Sequence, residues 1–407
     1  MKKIVACFFL LSVAVFSSSA QSEANYDESK VPVFVLPPLL ANEDGKKVSS
    51  TQEWENDCRP EILALLADQE YGVMPAGDFS TKYEVVAVNP KSLGGKATCK
   101  QVKITFGKGY IEQPVILLMY LPNQVKGKAP LFMGYNFGGN QTVHPDPEII
   151  PTSEAQRGAV RSRWPLEKII AAGYGVVSID CNQVFPDNRD GLRGSVLRLF
   201  GVNDETDLRM NTGQAMTAWA WGLSRALDYL QTDPEVDAKK VIAIGHSRLG
   251  KAALWAGAQD TRFAAVVANE SGCGGAALSK RAFGETVAII TKGFPYWFCK
   301  NFNSYAGNEQ SLPFDQHELL ALIAPRPLYV ASAEGDRWAD PKGEYLSAKY
   351  ASEAYELYGY KGITAEDMPP VNTPVMNRVG YHIRSGNHDI TEYDWEQYLR
   401  FAKATLK

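Results

Sequence analysis

The sequence predicts an α/β fold, a three-layer sandwich around a mostly parallel central sheet, on two observations. Apolar runs at 130–135, 175–180, 240–244, 264–268 and 327–331 are separated by tens of residues, and continuous apolar runs suit parallel strands buried on both faces. The segments between them read as helices, and a chain that alternates strand and helix builds this kind of sandwich.

The elements follow in chain order. A Pro-rich entry at 31–40 leads to runs at 84–88, 97–106 and 114–121, which read as strands, two of them spaced like hairpin partners. The best helix spans 207–231, where Met216, Ala220, Leu223, Leu227 and Leu230 recur at the helical period. Pro234 and the Lys239-Lys240 pair end it. A second helical stretch covers 315–323, and the alternating run 379–384 reads as the last strand before an aromatic-rich helix from Tyr393. No linker, repeat or low-complexity segment interrupts the chain, so residues 21–407 are expected to form a single domain.

Of the 407 residues, 45% are hydrophobic, 22% charged and 11% aromatic, enough for a large core. The net charge is −4 and no long basic run occurs, which argues against nucleic-acid or anionic-membrane partners. Residues 1–20 have the layout of a secretory signal peptide: Lys2-Lys3, an apolar stretch to Phe16, then Ser18-Ser19-Ala20. That stretch is too short to span a bilayer, and Cys7 lies inside it rather than at a lipidation site. The mature protein is therefore expected to be exported, periplasmic or extracellular, with no membrane span and as a monomer. Cys58, Cys99, Cys181, Cys273 and Cys299 remain, an odd number that permits at most two bridges. No C-x-x-C pair suggests zinc, and neither a metal nor a cofactor is expected.

The most informative stretch is Lys239-Lys-Val-Ile-Ala-Ile-Gly-His-Ser247-Arg248-Leu-Gly250-Lys251-Ala-Ala-Leu-Trp255. A β-branched run stops at Gly245 and an Ala/Leu-rich helix begins by Gly250, with Ser247 between them. This is the strand-turn-helix context of a nucleophile elbow in an α/β-hydrolase, although the second glycine falls one position late. Such a turn lifts the serine oxygen out of the sheet and sets the N–H of Arg248 at the positive end of a helix, ready for an oxyanion.

The partners come from elimination and order. The chain order Ser, acid, His leaves His317, His382 and His388. His382 sits within the last strand and His317 at a helix start, so both read as structural. His388 follows the last strand in a loop, where the base belongs. Two acids compete, Glu270 after one strand and Asp336 after the next; the commoner position, after the later strand, favours Asp336, but fold logic alone leaves the odds about even.

These residues are recognisable. The blocks Gly245-His-Ser-Arg-Leu-Gly-Lys, Asn269-Glu-Ser-Gly-Cys-Gly-Gly, Phe294-Pro-Tyr-Trp-Phe-Cys and Asp315-Gln-His-Glu-Leu-Leu resemble the bacterial glucuronoyl esterases of carbohydrate esterase family 15. Trp338-Ala-Asp-Pro, Gly386-Asn-His-Asp and Asn136-Phe-Gly-Gly-Asn extend the likeness over the mature chain. The resemblance implies a serine esterase that cleaves the ester between (4-O-methyl-)glucuronic acid of xylan and lignin alcohols. It implies Ser247 as nucleophile, His388 as base, Glu270 as principal acid and Asp336 as auxiliary acid. Arg248 would hold the oxyanion through backbone and side chain, and Lys251, Glu285 and Trp338 would contact the sugar. Fungal members carry a disulfide beside the nucleophile; here His246 and Asp389 occupy those positions, so that staple is absent. Bridges Cys273–Cys299 and Cys58–Cys99 are the candidate pairs. The rival expectations are an exported acetyl-xylan or other acyl esterase of the same fold, and a carbohydrate-binding protein on an inactive hydrolase scaffold.

Overall fold

The computed structural model describes residues 24–42 and 44–406; the expected signal peptide, residues 1–20, lies outside them. Three long strands open the sheet: β1 (Ser80–Lys91), β2 (Ala97–Lys108) and β3 (Ile111–Pro122). They pair antiparallel, with β2 and β3 in register from Ala97 opposite Pro122 to Lys108 opposite Ile111. Then come β4 (Ala129–Asn136), β5 (Gly175–Asp180), β6 (Val236–His246), β7 (Ala265–Asn269), β8 (Leu328–Ala333), β9 (Val375–Met376) and β10 (Val379–Arg384). The sheet order is β1-β2-β3-β5-β4-β6-β7-β8-β10-β9. From β5 through β4, β6, β7 and β8 to β10 the pairing is parallel throughout. The mostly parallel sandwich read from the sequence is the architecture found.

Helices cover both faces. Arg59–Leu66, Ala215–Leu230, Arg248–Gln259, Gln316–Ala321 and Pro341–Glu356 bury their apolar sides against one face. Leu166–Ala171 and Glu392–Thr405 cover the other, where Trp395, Tyr398 and Phe401 meet Phe132, Tyr329 and Ile169. With both faces covered, β5, β7, β8 and β10 are buried along their full length, and β6 from Val241 to His246, which is why they read as unbroken apolar runs. By contrast β1 lies at the sheet edge and is mostly exposed.

Two expectations need correction. The helix expected over 207–231 starts at Ala215, because Asp204 instead caps a separate 3-10 turn, Glu205–Asp207. The candidate disulfides do not form: all five cysteines among the described residues are free and buried. Cys58 packs on one face of the sheet and Cys99 on the other, so the sheet itself separates that pair. The Cys299 thiol turns to the carbonyl of Asp68, at 3.5 Å, rather than to Cys273. Burial pushes the thiols of Cys58, Cys99 and Cys299 up to about 12, as expected for inert core thiols.

Candidate active site

Four neighbouring strands end at one edge of the sheet, and each delivers one residue there: Ser247 after β6, Glu270 after β7, Asp336 beyond β8 and His388 beyond β10. This is the carboxyl edge, where open α/β sheets place their sites. Ser247 and Glu270 both have left-handed backbone, with φ of 57° and 48°. Non-glycine residues rarely adopt that region, and functional sites are where such strain collects.

The elbow at Ser247 depends on its glycines. A Cβ on Gly245 would run into the carbonyl of Leu249, so the strand can enter this turn only without a side chain. Gly250 faces the Gly245 carbonyl and Ser271 across the tight gap between turn and neighbouring strand. The late second glycine is therefore the right spacing here: Leu249, in the usual glycine position, is buried in the core instead. The Ser247 carbonyl accepts from the N–H groups of Gly250 (2.8 Å) and Lys251 (3.3 Å), starting the helix Arg248–Gln259. As the first helical residue, Arg248 has an N–H with no partner inside the helix.

The histidine loop docks onto the elbow. The ring of His246, next to the nucleophile, lies 4.5 Å from the ring of His388. His246 is buried, and burial with the nearby His388 charge holds its pKa well below the usual value. The loops carrying Asp336 and His388 pack back to back: the Gly335 N–H donates to the Gly386 carbonyl at 2.9 Å, and a Cβ on Gly335 would strike Gly386 and Asn387.

That docking sets both carboxylates on one imidazole nitrogen. His388 Nδ1 is 2.6 Å from Asp336 Oδ2 and 3.1 Å from Glu270 Oε2. Both acids are buried, whereas the His388 side chain is 39% exposed. Burial disfavours the imidazolium, but the hydrogen bonds and charges of Asp336 and Glu270 prevail and hold His388 up at about 9. For Glu270 burial wins over the His388 hydrogen bond and Arg384, leaving its pKa at about 7. Choosing between the two acids is thus unnecessary at the level of contact.

Glu270 has a second anchor that the sequence did not disclose. Buried Arg384, the last residue of β10, donates Nη2 to Glu270 Oε1 at 2.5 Å and to the carbonyls of Asn387 (3.1 Å) and Asp389 (2.7 Å). Its Nε is held by Asp394 at 2.9 Å, and Asp394 also accepts from His382 Nε2 at 2.8 Å. His382 is structural, as expected. His317 is too, with Nε2 at 3.1 Å from the Pro37 carbonyl.

Arg248 is clamped beside the elbow. Its Nη1 reaches Asp187 Oδ2 at 2.5 Å, and its guanidinium lies 4.6 Å from the Trp297 ring centre and 5.2 Å from that of Phe294. Asp187 in turn accepts from Trp297 Nε1 (2.9 Å) and the Tyr296 hydroxyl (3.1 Å). Asp187 sits in an irregular loop with no motif around it, so sequence reasoning had no signal for it. Arg248 Nε is buried without an acceptor, which is uncommon for a strong donor.

Lys251 and Glu285 are deeper than a surface contact would be. Their side chains are 4% and 6% exposed, 3.8 Å apart, and Lys251 Nζ donates to the Ser271 carbonyl at 2.5 Å. Burial raises the pKa of Glu285, against the pull of Lys251 and Arg248. Trp338 is half-buried, and its carbonyl accepts from the Glu285 N–H at 2.9 Å, joining two of the expected sugar-contacting residues directly.

His246, Glu270 and His388 present donor atoms within 4.8 Å of one another, the one arrangement among the described residues that suggests metal ligation. Glu270 is already held by Arg384, His388 and the Asp389 N–H (3.0 Å), and His246 Nδ1 lies 3.2 Å from Asn269 Nδ2.

Known proteins share this architecture. A family model described as glucuronyl esterase, fungi, matches residues 142–359, a span that contains every expected site residue except His388. Carbohydrate esterase MZ0003, from an unknown prokaryotic organism, is 44% identical over 93% of this chain and 91% of its own. The 4-O-methyl-glucuronoyl methylesterase 1 of Wolfiporia cocos is 30% identical over 80% of this chain and 72% of its own. The solved glucuronoyl esterase from Solibacter usitatus is 47% identical, superposes with a TM-score of 0.89, and covers 93% of this chain and 100% of that one.

Proposed function

The chain belongs to the glucuronoyl esterases of carbohydrate esterase family 15, and from that premise we propose that it hydrolyses esters of (4-O-methyl-)glucuronic acid borne on xylan, lignin alcohols being the leaving groups. It is a carboxylic ester hydrolase of the α/β-hydrolase fold. The observation that carries the site assignment is the convergence of two buried carboxylates on Nδ1 of one partly exposed histidine beside a strained serine turn.

In this reading the proton on His388 Nδ1 is directed at Asp336 and Glu270, which leaves Nε2 to take the proton of Ser247 Oγ as Oγ bonds to the uronoyl carbonyl carbon. Arg248 holds the oxyanion with its backbone N–H and its guanidinium, and the orphan Nε is the donor that a developing negative charge would satisfy. The alcohol leaves with the proton from His388. Water, deprotonated by the same nitrogen, then cleaves the acyl-serine to release glucuronate. Lys251 and Glu285 offer a paired donor and acceptor for sugar hydroxyls, and Trp338 an apolar face for the ring.

The same reading takes residues 21–407 as one monomeric catalytic domain exported by residues 1–20. Among the described residues no helix is long and apolar enough to cross a membrane. Comparing kcat/KM on benzyl glucuronate and 4-nitrophenyl acetate tests the substrate. The glucuronate is expected to be preferred, with both rates lost in Ser247→Ala. A strong preference for the acetate would assign the chain to general acyl esterases.

A further inference from the structure

Ala24, Asn25, Tyr26, Asp27, Lys30 and Ala282 line an open hollow of about 480 Å3 in the protein surface. Its wall is fastened to the two segments that carry Glu285 and Trp338. The Gly284 N–H donates to the Asn25 carbonyl at 2.8 Å, the Arg337 guanidinium donates to the Tyr26 carbonyl, and buried Arg281 pairs with Glu28 at 2.7 Å. Arg337 also lies 5.5 Å from the ring centres of both Tyr26 and Phe283, and those two rings meet edge to face at 6.2 Å. The Tyr26 ring is thereby backed but still half-exposed.

Two further observations connect the hollow to the reaction site. Partial burial raises the Tyr26 phenol; Arg337 opposes that, and the charges of Asp336 and Glu285 add to it, so the ring stands within their field. Ala282, on the hollow's floor, is three residues from Glu285, a separation that the backbone limits to about 11 Å. Asn25 Oδ1 accepts from the Asp27 N–H at 2.9 Å, but Asn25 Nδ2 is buried with no acceptor.

Building on the uronate-ester reading, we propose that this hollow is a second sugar subsite, taking a neutral pyranose of the glycan that carries the uronate. Tyr26 supplies the face for the sugar's C–H groups, and Asn25 Nδ2 the donor for a ring hydroxyl. The one cation and one anion on its rim, Lys30 and Asp27, lie 3.8 Å apart and balance each other. The hollow therefore selects no net charge, as suits a xylose unit rather than a second uronate.

The test measures kcat/KM on benzyl glucuronate and on the methyl ester of a glucuronosyl xylotriose, for the wild type, Tyr26→Ala, Tyr26→Phe and Asn25→Ala. The wild type is expected to favour the oligosaccharide ester. The ratio of the two kcat/KM values should fall about 3- to 10-fold in Tyr26→Ala and in Asn25→Ala, mainly through KM, and stay high in Tyr26→Phe, which keeps the ring. No gain from the xylose chain in the wild type, or an unchanged ratio in both alanine variants, overturns the subsite while leaving the esterase reading intact. A wild type inactive on both esters would instead defeat the esterase reading.

Discussion

His388 has two carboxylates on the same nitrogen, at 2.6 and 3.1 Å, and this arrangement makes the acids redundant in part. Either one orients the ring and stabilises the imidazolium, so each single loss is buffered by the other. Asp336→Asn and Glu270→Gln are each expected to lower kcat only about 3- to 10-fold, and the double variant by roughly 10^4, the loss typical when a triad acid is disabled. Additive effects on ΔG‡ would mean that the carboxylates act independently. The pH profile gives a second reading of the same pair. As the proposed base His388 must be neutral, and it is held up at about 9, so wild-type kcat/KM should keep rising to about pH 9. Removing Asp336 removes support for the imidazolium, lowers the His388 pKa and moves the acid limb to lower pH. A limb that stays put or moves upward would contradict the shared-imidazole geometry.

Among elements, the strand ends were the most legible and the loops the least. β5 was placed to the residue and β6, β7 and β8 to within a few residues of their ends, because strands buried on both faces leave unbroken apolar runs. The elbow was legible for the same reason, since strand, serine and helix follow without a gap. Asp187 and Arg384 were not: they act through side chains that reach across the fold, to Arg248 61 residues away and to Glu270 114 residues away. No local pattern encodes such a reach. The candidate bridges Cys273–Cys299 and Cys58–Cys99, named beside the family resemblance, do not form, and the sheet separates the second pair. Arg384 ties β10, the His388 loop and Glu270 into one unit. Arg384→Met is therefore expected to cut kcat about 10- to 100-fold with little change in KM, as misplaced catalytic groups do. Arg384→Lys should recover only part, because an ammonium lacks the fork that serves Glu270 and Asp394 together. A loss confined to KM, or full activity in the methionine variant, would remove Arg384 from the positioning role.

At the scale of the whole molecule, buried acids give the fold a pH dependence of its own. Burial raises Glu70, Glu318 and Glu344 to about 8, and the carboxylates around His388 raise it to about 9. A group with a folded pKa above its unfolded one binds more protons when folded, so stability falls as pH climbs between the two values. For the glutamates that interval runs from about 4.5 to about 8, and for His388 from about 6.5 to about 9. His246 and His317, held below their usual values, work in the opposite sense only below about 6.5. Thermal unfolding monitored from pH 6.5 to 9 should accordingly give a falling Tm; a flat or rising Tm would mean that these groups titrate as if exposed.

The central claim is that Ser247 becomes acylated with the neighbouring imidazole as its base. Rapidly quenching the enzyme during turnover of an activated glucuronate ester, then mapping its peptides by mass spectrometry, tests this directly. A uronoyl mass on the peptide that contains Ser247, absent in Ser247→Ala, is the predicted result. Turnover with an adduct at another residue, or undiminished turnover in Ser247→Ala, would contradict it.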